Sequence, residues 1–195
     1  MKHALSTQMT REALASSLKK LMEQKPLAQI SIREIIEDCG VNRQTFYYHF
    51  RDIYALAEWM FSQETAAFVC RRSARKSYLE AVRATIVYAK TNPLLKSCAM
   101  DLQSHDAMRR LFCSVLRRDV DFAVTLLSSG LSVDDSYQEF LISFYSEAIA
   151  SIILNWMCAG AQQEPELLVR YVDATLSAGI PAALRQPPSQ LPPAQ

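Results

Sequence analysis

Caps for two successive helices stand close together near the N-terminus. Ser31 and Glu34 form the pattern S-x-x-E, in which each side chain bonds a free backbone amide at the start of a helix. Gly40 suits the left-handed backbone that ends a helix, and Asn42 is a strong cap for a helix that follows. These residues predict two short helices joined by a tight turn, which is the arrangement of a helix-turn-helix.

The rest of the chain is predicted to be helical. Apolar residues recur at helical spacing, and glycine is scarce, with four in 195 residues. The sequence therefore predicts an all-α fold. The predicted helices span about residues 7–23, 32–39, 43–50, 52–75, 78–91, 94–103, 106–128, 136–158 and 165–178.

The chain is long enough for two small domains, each with a core. Residues 1–52 are predicted to form a three-helix helix-turn-helix domain that binds DNA. Residues 53–180 are predicted to form a second domain, a helical bundle. Residues 181–195 are rich in proline and predict a disordered tail.

Composition argues against several classes of protein. The five cysteines are widely spaced without a CxxC pair, which predicts neither a disulfide framework nor a metal site. We find no secretion signal and no run of about 18 apolar residues, so we expect a cytoplasmic protein that does not span a membrane. The net charge of +1 leaves room only for a local DNA-binding surface.

Catalysis is not expected. The motifs GxSxG and HExxH and the phosphate-binding P-loop are absent from the sequence. Cys98 and His105 are the only neighbouring nucleophile and base, and no residue is placed to orient them. We expect neither a cofactor nor a catalytic residue.

The second helix of the helix-turn-helix carries the side chains that base reading requires. Its first residues are Arg43, Gln44 and Thr45. Arginine pairs with guanine, glutamine pairs with adenine, and a threonine methyl packs on thymine. In this motif the N-terminal residues of the second helix lie against the base edges of the major groove.

The aromatic residues of this helix are predicted to divide between two faces. Phe46 and Phe50 lie four residues apart and should point into a small core with Val41, Leu14, Leu18 and Ile35. Tyr47, Tyr48 and His49 should point outward, where their polar atoms can reach phosphate oxygens.

The stretch ISIREIIEDCGVNRQTFYYHFRDIYAL, residues 30–56, resembles the TetR family of bacterial transcription regulators. The match covers the cap, the short helix, Gly-Val, the polar cap, the ending Tyr-x-His-Phe and the following leucine. It is strong over about residues 7–60, and the remainder matches in the number and length of its helices. The run DIYALAEWMF is also similar to the branch that contains regulators of dihydroxyacetone utilisation.

The resemblance implies roles for individual residues. Phosphate contacts are implied for Ser31, Thr45, Tyr48 and His49, and base-reading positions for Arg33, Arg43, Gln44 and Tyr47. With the polar cap, the predicted DNA-binding set is Ser31, Arg33, Asn42, Arg43, Gln44, Thr45, Tyr47, Tyr48 and His49.

The sequence departs from the family pattern at Ile53. Many members carry a lysine there that contacts a phosphate, so this contact is in doubt, and Arg51 is a candidate replacement.

The family resemblance implies a homodimer that binds a palindromic operator. The apolar segment 136–158 and the last helix, at about 165–178, are the expected interface, with Trp156, Met157 and Tyr171 as candidate anchors. For each of these residues a place in the core of the subunit is an open alternative.

The resemblance also implies a repressor that a small molecule releases from DNA. Candidate lining residues of a ligand site are Tyr88, Cys98, His105, Phe112 and Tyr145, for each of which core packing is the alternative. A second hypothesis is a DNA-bound co-regulator whose C-terminal domain docks another protein that does the sensing. The sequence names no effector.

Overall fold

The structure, a computed structural model, describes residues 2–72, 77–129 and 133–185. Within these ranges the chain is helical without a strand, and the predicted all-α fold is confirmed. A short 3-10 turn at Leu27–Gln29 follows the first helix. The α-helices are α1 (Lys2–Met22), α2 (Ile32–Cys39), α3 (Arg43–His49), α4 (Ile53–Arg72), α5 (Tyr78–Thr91), α6 (Pro93–Met100), α7 (His105–Leu127), α8 (Asp135–Cys158) and α9 (Pro165–Arg185).

The first three helices enclose the predicted small core. Leu14, Leu18, Ile35 and Phe46 are fully buried, and Val41 packs against them while partly exposed. The Ser17 hydroxyl is buried as well and donates to the Ile35 carbonyl at 3.0 Å, so this polar atom is satisfied inside the core. The packing fixes α3 against α1 and α2, as the sequence predicted.

Helix α4 connects the N-terminal helices to the rest of the chain. Its start is capped, because the Ala55 amide donates to Asp52 Oδ1 at 2.7 Å. In its first half the Trp59 ring packs 5.8 Å from the Phe50 ring, and Glu64 pairs with Lys19 of α1 at 2.6 Å. A change in the tilt of α4 would therefore move the helix-turn-helix.

The C-terminal bundle is built around the long antiparallel helices α7 and α8. Arg109 of α7 pairs with Glu147 of α8 at 2.6 Å. Arg117 pairs with Glu139 about two turns further along α7. Arg110 reaches back to Glu58 of α4 at 3.0 Å. These ion pairs are partly exposed, so most of the stability comes from the apolar core that they flank.

Helix α9 is longer than the sequence predicted. Residues 181–185 were expected in the disordered tail, but they continue the helix past Pro181 to Arg185. The reason is packing, because Ile180 and Leu184 on either side of the proline are buried in the core. That burial offsets the backbone hydrogen bond that proline cannot donate. Residues 186–195 lie outside the described residues.

Two of the three candidate interface anchors belong to the core of the subunit. Trp156 and Met157 are buried, whereas Tyr171 is exposed. For Tyr171 the alternative of a place in the subunit core is therefore wrong, because the neighbouring Leu168 and Val172 face the core. Apolar residues lie nearly all round α8, so the spacing of its apolar residues did not show which side packs within the subunit.

Helices α8 and α9 are long and apolar enough to cross a membrane by length and composition alone, which the sequence analysis did not expect. The difference arises because the exposed side of α8 carries Phe140, Phe144 and Ile152 where a charged face would be usual. In the most apolar 18-residue stretch of α8, 56% is buried inside the protein, as it would be in a helix of a protein core. This is weak evidence for a membrane span.

Candidate nucleic-acid interface

The start of α2 is held by a complete capping box. The Glu34 amide donates to Ser31 Oγ at 3.3 Å, and the Ser31 amide donates to Glu34 Oε2 at 2.9 Å. Lys25 adds an ion pair to Glu34 at 2.5 Å. The hydrogen bond from Lys25, followed by those from Ser31, lowers the pKa of Glu34 to about 2, so the cap stays charged at neutral pH.

The turn between α2 and α3 has the predicted local chemistry. Gly40 lies at φ +70°, in the left-handed region that favours glycine, and the Val41 amide donates to the Ile36 carbonyl at 3.1 Å. Asn42 then caps α3, since its Oδ1 accepts from the Thr45 amide at 2.7 Å and from the Thr45 hydroxyl at 2.9 Å. These bonds set the direction in which α3 leaves the turn.

Helix α3 presents the predicted faces, with one correction. Phe46 and Phe50 are buried, whereas Tyr47 and Tyr48 are 47% and 73% exposed. His49 was expected to point outward, but it is half-buried, because α3 ends there and the chain folds back at Phe50. Burial, and then the charge of Arg11, lowers the pKa of His49, so the imidazole is neutral at pH 7. A neutral imidazole can donate a hydrogen bond to a phosphate without adding charge.

Two of the side chains predicted to lie at base-reading positions, Arg43 and Tyr47, contact one another. Arg43 donates to the Tyr47 hydroxyl at 3.3 Å, and its guanidinium lies 5.6 Å from the centre of the Tyr47 ring. The contact orders a long flexible side chain on the exposed face of α3. Gln44 is exposed on the same helix.

Arg33 is less available than its exposure suggests. Its Nε pairs with Glu37 one turn along α2 at 2.6 Å, and this hydrogen bond raises the pKa of Arg33. A base or phosphate contact by Arg33 requires this exposed pair to open.

At the start of α4, Ile53 belongs to the core rather than to the surface. It is 9% exposed and belongs to the buried hydrophobic core. The neighbouring Arg51 is exposed and pairs with Asp52 at 3.0 Å. Arg51, which directly follows Phe50, therefore supplies the basic side chain between α3 and α4.

Arg11 of α1 is not among the predicted site residues, yet it lies beside the end of α3. Its guanidinium carbon lies 5.8 Å from the centre of the Phe50 ring, and its Nε is buried without a hydrogen-bond partner among the described residues. The signal was present in the sequence, because Arg11 precedes Leu14 and Leu18 at the same helical spacing. Its charge thus lies next to His49 at the end of α3.

The residues predicted to line a ligand site are packed side chains, apart from the half-buried His105. Cys98, Phe112, Tyr88 and Tyr145 are all buried. Tyr88 donates to Glu64 Oε2 at 2.8 Å. Burial raises the pKa of the Cys98 thiol to about 12, which keeps it protonated at neutral pH. Within the described ranges, no group of three His, Cys, Asp or Glu residues is placed to hold a metal ion.

Two substitutions of the cap residue Asn42 can separate its effect on stability from its effect on DNA binding. We expect Asn42→Ala to lower the free energy of unfolding by about 1 kcal/mol, because the Thr45 amide loses its acceptor. Asn42→Asp keeps an acceptor there and should fold as stably as wild type. If α3 faces DNA, the new carboxylate near phosphates should weaken DNA binding roughly fivefold.

Urea denaturation and fluorescence anisotropy with labelled DNA measure the two effects. Unchanged DNA binding by the Asn42→Asp protein would show that the start of α3 does not face the duplex.

Comparisons with known proteins agree with this geometry. Residues 16–60 match the family model described as bacterial regulatory proteins, tetR family. Residues 76–177, more than half of the chain, match a model described as transcriptional regulator C-terminal region. Together the two models cover both parts of the fold.

A similar curated protein is the HTH-type dhaKLM operon transcriptional activator DhaS of Lactococcus lactis subsp. lactis (strain IL1403). The two are 32% identical over 60 residues, which is 31% of this chain and 32% of that protein. The match therefore spans about a third of the length of that relative. The likeness to regulators of dihydroxyacetone utilisation, predicted from DIYALAEWMF, is confirmed.

Solved structures share the fold at low identity. The dihydroxyacetone kinase operon activator DhaS superposes with a TM-score of 0.58 at 20% identity, covering 88% of this chain and 96% of that one. RolR in complex with resorcinol gives 0.61 at 14% identity, covering 98% and 100%. The TetR family repressor AlkX from Dietzia sp. strain DQ12-45-1b gives 0.54 at 16% identity, covering 86% and 93%.

At these identities the solved structures show the fold alone, and the family models carry the assignment. The capped helix-turn-helix, the exposed face of α3 and the two matched models lead to one conclusion. The chain belongs to the TetR family of bacterial transcription regulators.

Proposed function

We propose that this regulator binds a palindromic DNA operator sequence-specifically, as a homodimer, with α3 in the major groove. The observation that carries the proposal is the exposed face of α3, which presents Arg43, Gln44 and Tyr47. The Asn42 cap at the start of α3 fixes the helix after the turn. Arg43 and Gln44 have the donors and acceptors that distinguish guanine and adenine.

Phosphate contacts would fix the register of α3 on the duplex. The exposed Tyr48 and the neutral His49 can donate to phosphate oxygens from the end of α3. The hydroxyls of Ser31 and Thr45 would join them by releasing the hydrogen bonds that they donate to Glu34 and Asn42. Arg33 would join them by releasing its bond to Glu37. Arg51 would supply a cation near the position where Ile53 cannot.

The second subunit would pack on an exposed apolar stripe of α8. The α8 stripe is Phe140, Phe144 and Ile152, which are 57%, 55% and 46% exposed. The Phe140 and Phe144 rings stack 5.9 Å apart, so the surface is preformed. Tyr171 of α9 is exposed too, and we propose that α8 and α9 of two subunits form a four-helix interface.

We propose that the regulator represses its target in the absence of an effector and that a small molecule in the C-terminal domain releases it. AlkX is named as a repressor and DhaS as an activator. The same DNA-bound dimer can do either, depending on where the operator lies relative to the promoter. We place the protein in the cytoplasm with its DNA, acting without catalysis.

A second candidate is a DNA-bound co-regulator that docks a separate sensor protein. Phe122 and Leu126 on α7 favour it, because both are about half exposed and apolar. The two candidates differ in a direct test: release of DNA by a small molecule from the purified protein alone supports the effector mechanism.

Arg43→Ala tests base reading. We expect this variant to lose about 1–3 kcal/mol of discrimination between operator and mutated operators, because the bidentate contact to one base is removed. If the Tyr47 hydroxyl bonds a phosphate oxygen rather than a base, Tyr47→Phe should weaken binding to every DNA alike, roughly threefold to tenfold. Electrophoretic mobility shifts on a set of single-base operator mutants measure both. Equal affinity of wild type and Arg43→Ala for every DNA would refute the assignment.

A further inference from the structure

A cleft opens between the end of α4, the start of α5 and the second half of α7. Its volume is about 250 Å³, and its apolar lining includes Val69, Ala81 and Phe122. This is smaller than the sites that hold drug-sized ligands. The cleft thus suits a compact organic molecule.

Asp119 of α7 also lines this cleft and is unusual there. Its side chain is 8% exposed, and Oδ2 is buried without a hydrogen-bond partner among the described residues. A carboxylate removed from water without a partner is strongly destabilising, so such atoms are rare in folded proteins. An atom of this kind on the wall of a cleft is suited to a ligand that carries a hydrogen-bond donor.

Among the described residues, no basic side chain forms an ion pair with Asp119. Burial raises the pKa of Asp119 to about 6, and the charge of Arg118 lowers it only in part. The Arg118 side chain is exposed at the rim. Tyr78 uses its hydroxyl to donate to Asp173 of α9 at 3.1 Å, and burial raises its pKa, so it stays neutral. Asp119 is therefore the buried negative group of the site at pH 7.

We propose that this cleft binds a small protonated amine with an apolar body, whose ammonium group pairs with Asp119. The apolar body would lie against Val69, Ala81 and Phe122. The charged hydrogen bond forms in a site shielded from water, where it is stronger than at the surface.

The position of the cleft gives the ligand a route to the DNA-binding domain. Val69 and Cys70 form one wall, and they lie in the last turn of α4, whose first turns pack against the helix-turn-helix. A ligand held between α4 and α7 would favour one tilt of α4 over another. This step, the identification of the amine as the effector, rests on the function proposed above, whereas the binding site does not.

Isothermal titration calorimetry on the full chain without DNA tests the site. The probes are phenethylamine, cyclohexylamine and butylamine, with 2-phenylethanol as the neutral analogue. We expect saturable binding of at least one amine, and at least about tenfold weaker binding of the alcohol. Amine binding should weaken as the pH falls through about 6, because Asp119 becomes protonated and loses its charge.

Asp119→Asn keeps the size of the side chain and should weaken amine binding about tenfold to hundredfold. Asp121→Asn is the matched control, since it makes the same change at an exposed position on α7 that does not line this cleft, and it should bind like wild type. Circular dichroism melting checks that both variants fold. Phe122→Ala trims the half-exposed rim of the cleft and gives a second variant, which should also weaken binding.

Three results would overturn the inference: no binding of any amine, equal binding of the alcohol, or undiminished binding by folded Asp119→Asn protein. None of them depends on DNA. Loss of operator selectivity in a protein that still binds amines would instead contradict the proposed function alone.

Discussion

Phe144→Glu is expected to separate the two subunits and to abolish operator binding at nanomolar concentrations. Phe144 is 55% exposed in the subunit and stands in the middle of the α8 stripe. In a two-fold interface each substitution occurs twice, so two phenyl groups are lost and two carboxylates are brought together. We expect the dimer to weaken by about 3–6 kcal/mol, or roughly a hundredfold to ten-thousandfold.

Sedimentation equilibrium measures the association, and anisotropy with operator DNA measures its consequence. Leu102→Glu is the matched control, because it places the same charge on a large apolar residue that is 91% exposed and lies outside α8 and α9. That variant should remain dimeric. A dimeric Phe144→Glu protein with unchanged operator affinity would show that the subunits meet elsewhere.

Phe46→Ala is expected to lower the free energy of unfolding of the N-terminal domain by about 3–5 kcal/mol. The Phe46 side chain is fully buried, with the Tyr47 and Phe50 rings 5.6 Å and 6.2 Å from it. Helix α3 has only seven residues, too few to be stable by itself, so it depends on this contact. We expect DNA binding to be lost together with the fold of the domain.

Tyr48→Ala on the same helix separates folding from binding. Tyr48 is 73% exposed, so its loss should change stability by less than about 0.5 kcal/mol while weakening DNA binding. Urea denaturation and DNA titration of both variants make the comparison. A Phe46→Ala protein as stable as wild type, or a Tyr48→Ala protein that binds DNA unchanged, would contradict the assignment of the two faces of α3.

Local signals in the sequence predicted the helix-turn-helix well, because its boundaries depend on neighbouring residues. Ser31, Gly40, Asn42 and Asp52 each act within a few residues along the chain, and each has the cap or turn geometry that its residue type favours. The predicted bounds of α2 and α3 are therefore correct to within one residue.

Features that depend on distant packing were predicted poorly. Pro181 is a local helix breaker, but burial of Ile180 and Leu184 keeps α9 intact. The charge of Arg11 reaches His49 from α1, and no residue spacing near His49 shows that the two are close in the fold. For such residues tertiary contacts outweigh local preference.

Functional residues of the C-terminal helices were predicted poorly for the same reason. The sequence does not tell which apolar side of α8 packs inside the subunit, so Trp156 was a candidate anchor and Phe144 was not. In the sequence, nothing distinguishes Asp119 from other polar residues of a surface helix. It is a buried carboxylate without a hydrogen-bond partner among the described residues because α4 and α5 pack over α7.

One titration can decide whether α3 binds DNA sequence-specifically. Purified protein is titrated with DNA from upstream of its own gene and with scrambled DNA of equal composition, each at two salt concentrations. We expect at least about a thousandfold preference for the upstream DNA, with both affinities falling as salt rises. Equal, weak binding to the two DNAs at both salt concentrations would contradict this expectation.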